Sequence, residues 1–250
     1  MVQETGIGSG GREFPATRWT LLLAAGAAAD DASRRLALED LAERYWRPLY
    51  FHARRKGLPI EGAKDAVQAF FAHLAGGDFL ARLDPARGRL RSYLRGALDN
   101  FLINLHEKEA AAKRGGGRKI LPLEVEAAER DGAAWRDRPD AAFDREWALG
   151  LLERAAAALR AEFEEGRRKG DLEVVLSFVG FGEPPPHAEA AARCGMSGVQ
   201  FKAFLHRCRK RYRELVRLEI GRTVERDEEV DAELAELLRV LGASRPDVGP

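Results

Sequence analysis

Apolar residues recur every three or four positions along most of this chain, and nowhere do they alternate for a useful length. A period near 3.6 puts such residues on one face of an α-helix, so the pattern predicts an all-α protein. Thr17 is placed to cap a helix through TRWTLLLAAGAA, with Trp19, Leu22 and Leu23 as apolar contacts, and Asp30 to Ser33 reads as a break. Leu38, Leu41, Tyr45 and Leu49 predict a helix over 34–56, which Pro48 should kink or restart and Gly57 should end. The helix expected next, over 61–74, carries Ala66, Phe70 and Leu74 on one stripe with Val67 and Phe71 beside it. That register leaves Asp65 and Gln68 on the more exposed side. A turn over 84–88 then leads into a long helix over 90–113, where Tyr93, Leu94, Ala97, Leu98, Phe101 and Leu105 read more readily as a core stripe than as a base-stacking surface.

Gly115 to Pro139 has little apolar periodicity and reads as a linker, with a short helix over 124–129. Helical spacing resumes over 140–165 with Phe143, Trp147, Leu151, Leu152, Ala155 and Leu159, and again over 171–179; Leu172 to Phe181 is the one place where a strand competes. Three prolines, Pro184 to Pro186, deliver the chain to HAEAAARCGMSGVQFKAFLHRCRKRYRELVR, 187–217. A short helix, a glycine free to take positive φ at Gly195, a serine cap at Ser197 and a second helix make a helix-turn-helix pattern. In the second helix Phe201, Phe204, Leu205, Cys208, Tyr212 and Leu215 share a face, while Lys202, His206, Arg207, Arg209, Lys210, Arg211 and Arg213 lie largely elsewhere. By pattern alone, DNA reading and a basic solvated hairpin stay equally open. The expected organisation is two helical domains joined by a linker: a disordered 1–13, a first domain over 14–114, the linker over 115–139, a second domain with the helix-turn-helix over 140–220, and an acidic helical extension and tail over 221–250.

Composition sharpens this only locally. With 45% hydrophobic and 32% charged residues among 250, the chain is expected to be soluble and globular. Its net charge of +1 hides segregation: 187–217 holds eight Lys/Arg against two Glu, 84–119 holds nine Lys/Arg against four acids, and 219–239 holds three Arg against eight acids. There is no bilayer-length apolar run and no signal-peptide core, so a cytoplasmic location without membrane insertion is the default expectation. Cys194 and Cys208 lack metal-site spacing and read as small core residues. His52, His73, His106, His187 and His206 are scattered, with no nucleophile motif, acid/base pair or phosphate loop beside them. Gly115 to Gly117 reads as a linker joint because no strand precedes it. The chain is therefore expected not to be an enzyme and to need no cofactor or metal.

Three segments, in this order, resemble the bacterial RNA polymerase sigma factors of the extracytoplasmic-function type, and the likeness covers roughly 15–220. AKDAVQAFFAHLA, 63–75, resembles the polymerase-clamp segment through Asp65, Gln68, Phe70 and Phe71. DPARGRLRSYLRGALDNFLIN, 84–104, resembles the melting and minus-ten segment, with Tyr93 where Trp is common and Asn100 where Asn is usual. GMSGVQFKAFLHRCRKRYREL, 195–215, is similar to the minus-thirty-five helix-turn-helix. FPATRW and the overall length resemble the longer planctomycete-like branch. Among the departures are Glu107 and Glu109 in a usually basic stretch, Gly198 and Phe204 in the reading helix, and Lys64 before Asp65. The resemblance implies a promoter-recognition subunit whose partners are core RNA polymerase, promoter DNA and an anti-sigma or other regulatory protein. It assigns polymerase binding to Asp65, Gln68 and Phe71. It assigns DNA binding to Arg89, Arg91, Tyr93, Arg95 and Asn100 in the first domain and to Ser197, Gln200, Lys202, His206, Arg207 and Arg209 in the second. A transcriptional regulator that binds DNA without polymerase is the alternative. The segment 219–239 is expected to form one helix with its acidic run outward, which either extends the second domain or competes with DNA for the basic surfaces.

Overall fold

The computed structural model describes residues 31–76, 79, 84, 89–111, 139–164, 169–224 and 226–243. The helix expected to begin at Thr17, the linker and the end of the tail lie outside them. Among the described residues there are eight α-helices and no strand: α1 (Asp31–Arg55), α2 (Ile60–Gly76), α3 (Leu90–Ala111), α4 (Pro139–Glu164), α5 (Leu172–Ser177), α6 (His187–Arg193), α7 (Gly198–Gly221) and α8 (Val230–Ala243). Short 3-10 turns, Lys169–Asp171 and Asp227–Glu229, precede α5 and α8. The stretch where a strand competed is helical over Leu172–Ser177 and bent beyond it.

Helix α1 includes Asp31 to Ser33, where a break was expected, and runs through Pro48 as one element. Proline has no N–H for the Arg44 carbonyl, a loss a helix tolerates only when packing holds it. Packing is dense at that point, for Leu49, Tyr50, Phe51, His52 and Ala53 are all buried in succession. A helix buried all round is an interior helix. It lies against α2, α3 and, most extensively, α4. Gly57, at φ 101°, ends the turn after it, and the Gly57 and Leu58 amides donate to the carbonyls of Arg54 and Ala53.

The two halves expected on either side of the linker share one core. Its buried residues run from Leu38, Leu41 and Tyr45 of α1, through Phe70 and Leu74 of α2 and Leu94 and Leu98 of α3, to Phe143, Trp147 and Leu151 of α4, Tyr212 and Ile220 of α7 and Leu237 of α8. A second, smaller core holds Val175, Ala190, Ala191, Cys194, Phe201, Phe204, Leu205 and Cys208. The division between the two cores runs through α5, where Leu172 and Leu176 join the larger and Val175 the smaller, and through α7, between Cys208 and Tyr212. Both cysteines are buried thiols, packed as small core residues.

Ion pairs tie the halves together as well. Glu219 of α7, 5% exposed, accepts from Arg44 of α1 at 2.7 Å and from Arg154 of α4 at 3.0 Å, and Arg222 completes the group. Arg47 of α1 donates to Glu146 of α4 at 2.7 Å. Within the first half, the buried His52 lies with Nε2 2.8 Å from Asp99 of α3, whose other partner is Lys56 at 3.2 Å.

Candidate nucleic-acid interface

The region around α6 and α7 is built from its turn. After α6 the Cys194 amide donates to Ala190, the Gly195 amide to Ala192 and the Met196 amide to Ala191, which closes the helix end over a glycine at φ 63°. Ser197 then caps α7: its hydroxyl accepts from the Gln200 amide at 3.3 Å while the Gln200 side-chain oxygen accepts from the Ser197 amide at 2.9 Å. This reciprocal capping box satisfies two amide donors that a helix start leaves orphaned. Gln200, expected to reach bases, has its carbonyl oxygen committed to the cap.

From there the sides of α7 separate. Phe201, Phe204, Leu205 and Cys208 are buried against α5 and α6, while Val199, Lys202, His206, Arg207, Arg209, Lys210 and Arg213 are exposed. Val199, 81% exposed, is a large apolar residue at the head of a cationic surface. Behind that surface Phe178 contacts His187 and Phe201, with ring centroids at 5.0 and 5.7 Å. Arg209 donates to the Phe178 carbonyl at 3.2 Å and sits over its ring, so it braces the α5–α7 junction as well as adding charge. Arg211 is engaged by Glu162 and Glu214, whose hydrogen bonds push its guanidinium well above the ordinary arginine value.

On α3 the structure separates the expected residues. Arg91 is 5% exposed; it pairs with Glu233 of α8, stands 3.5 Å from Asp144 of α4 and lies 4.2 Å over the Trp147 ring. Burial, followed by the neighbouring Arg89, pushes the Arg91 guanidinium below its usual value; burial likewise pushes the Asp144 carboxyl up, against Arg91 and Arg95. Arg89 reaches the same Glu233 at 3.0 Å, and Arg95 lies 3.6 Å from Asp140. Tyr93 is half-buried against Phe79, with centroids at 5.6 Å, and Asn100 is exposed. Arg91, one of the residues expected to bind DNA, is therefore inside an ion-paired layer between α3, α4 and α8.

The clamp segment also departs from its expected register. Asp65 is exposed, but Gln68 is 5% exposed and Phe71 is in the core. Because α2 is packed by both α1 and α3, its buried arc widens past Phe71 to take in Gln68. No family model, curated protein or solved structure matches this chain. None of the described helices is long and apolar enough to cross a membrane, and no metal-holding group of His, Cys, Asp or Glu occurs among the described residues.

Sequence reasoning missed the acids that organise these surfaces, Glu219, Glu233, Asp144 and Glu146. Glu219 follows Tyr212, Leu215 and Val216 in the buried stripe of α7, and Glu233 stands between Val230 and Leu237 in that of α8. A carboxylate at a core-stripe position is the signal of a buried ion pair, since an unpaired one is too costly to keep there.

Proposed function

We propose that the chain is a sigma factor of the extracytoplasmic-function type, which binds core RNA polymerase and directs promoter-specific initiation. The observation that carries the reading is the exposed cationic side of α7, presented from a capped start behind a short helix and a tight turn. That is the geometry in which a reading helix enters a major groove with its N-terminal residues at base edges. Lys202, His206, Arg207, Lys210 and Arg213 supply phosphate contacts, and Val199 offers an apolar contact for thymine methyl groups. The order of the three resembling segments supplies the polymerase part. A second reading, a DNA-binding regulator that acts without polymerase, is favoured by the burial of Gln68 and Phe71, which leaves Asp65 alone exposed among the three clamp residues.

Co-purification with core polymerase separates the two readings. Recovery of the complex, lost with Asp65→Ala while the variant's unfolding temperature stays unchanged, is the outcome expected of the sigma factor; promoter binding without polymerase recovery moves the assignment to the regulator. For the α7 surface, replacing Lys202, Arg207 and Lys210 together by alanine should flatten the log–log salt dependence of duplex binding by about three units, roughly one for each phosphate no longer neutralised.

A further inference from the structure

The acidic segment near the chain end does not form the single helix expected over 219–239. Helix α7 ends at Gly221, the chain turns through Asp227–Glu229, and α8 returns across α4 and α7. Nor do its acids all face outward. Glu233 is 2% exposed, in the same buried side of α8 as Val230, Leu237 and Val240. A carboxylate there is tolerable only with charged partners, and the partners are Arg89 and Arg91 at the head of α3. Asp144 and the Trp147 ring close the other side of Arg91, and Arg217 of α7 holds Asp231 of α8 at 2.6 Å, a second tie for the same helix.

We propose that α8 is a clasp: Glu233 neutralises Arg89 and holds Arg91 closed against α4, and so withholds the cationic head of α3 from anionic ligands until α8 lifts. The clasp rests on the reading above for its ligand, the phosphates of an unpaired DNA strand. A phosphodiester and a carboxylate compete for a guanidinium through the same charge-assisted, planar geometry. Being on the same chain, Glu233 competes at high effective concentration, so nucleic acid alone displaces it poorly. A partner that draws α8 away would uncover Arg91 and free Arg89, already exposed, from its carboxylate.

The test compares the full chain with Glu233→Gln, measuring hydrogen exchange over 230–243 and the affinity for a short fluorescein-labelled single-stranded oligonucleotide. The clasp requires exchange over 230–243 to rise and binding to tighten, each by roughly tenfold, the scale of a typical coupling between sites. Unchanged exchange overturns it, and so does faster exchange with equal, measurable affinity in the two chains. Faster exchange with no oligonucleotide binding by either chain keeps Glu233 as the tie that holds α8 down but overturns its role in withholding α3 from nucleic acid. The coupling has a second check in a double-mutant cycle: Arg91→Met should also speed exchange over 230–243, and combining it with Glu233→Gln should speed exchange by less than the product of the two single effects. Independent, multiplicative effects overturn the clasp.

Discussion

Glu219 is where single-residue chemistry bears most on the fold. Burial alone would push its carboxyl up, but Arg44, Arg222 and Arg154 together hold it below the ordinary value of 4.5. A carboxyl lowered in the folded chain stabilises fully above its unfolded value and loses that contribution as the pH falls through the lower, folded one. Asp144 and Glu146 have the opposite sign, because burial raises both and their ionised forms oppose folding. Glu219→Gln strips the shared anion from three arginines, and about 3 kcal/mol of stability should be lost at neutral pH, the range for breaking a buried pair. Urea unfolding from pH 7 down to 3 checks both the size and the sign: the gap between the original chain and the variant should narrow as the pH drops below the glutamate range. A constant gap would show that Glu219 acts by shape and not by charge. By contrast, the exposed pairs Arg226–Glu229 and Arg239–Glu236 are of the kind that contributes little.

Among the elements, the turn between α6 and α7 shows how a few residues aim a long helix. Gly195 has φ 63°, and a Cβ there would meet nothing within 4 Å, so Gly195→Ala should cost about 1 kcal/mol through the backbone alone. Ser197→Ala removes one arm of the capping box and should cost about 1 kcal/mol as well. Thermal unfolding measures both. Because Gly195 belongs to the turn and not to the exposed cationic side, duplex affinity of the folded Gly195→Ala variant should change far less than in the Lys202, Arg207 and Lys210 variant. Helix α1 is the complementary case, since its dense packing around Leu49 to Ala53 keeps a proline inside a continuous helix.

Across the whole molecule, the shared core couples the two halves mechanically. Leu49 of α1 and Leu159 of α4 come from opposite sides of the expected linker, yet both are buried in one cluster. Leu49→Ala and Leu159→Ala should each lower stability by about 3 kcal/mol, the cost of a large-to-small change in a packed core. Both should also shift the same single transition, observed by circular dichroism and by hydrogen exchange in either half. Two transitions, each moved by one variant only, would mean that the halves fold apart. Separating the halves would break the ion pairs Arg44–Glu219, Arg47–Glu146 and Arg91–Glu233 that cross between them.

Read alone, the sequence determined the helical class, the described helices of the first half to within a few residues, the turn at Gly195 and Ser197, and which side of α7 is apolar. These are local properties: a 3.6-residue period, a glycine at positive φ and a cap within one turn of its amide are decided by neighbours a few positions away. What the tertiary structure decided is what each outward-looking polar residue meets. Arg91 looked like a free cation because no acid lies near it in the chain, and Glu233, 142 positions later, is what neutralises it. Gln68 looked exposed because a helical wheel shows the apolar stripe but not the width of the arc that two flanking helices bury. The two cores divide within α5 and α7, because cores divide where side chains stop touching and a helical period does not show which neighbours each turn meets.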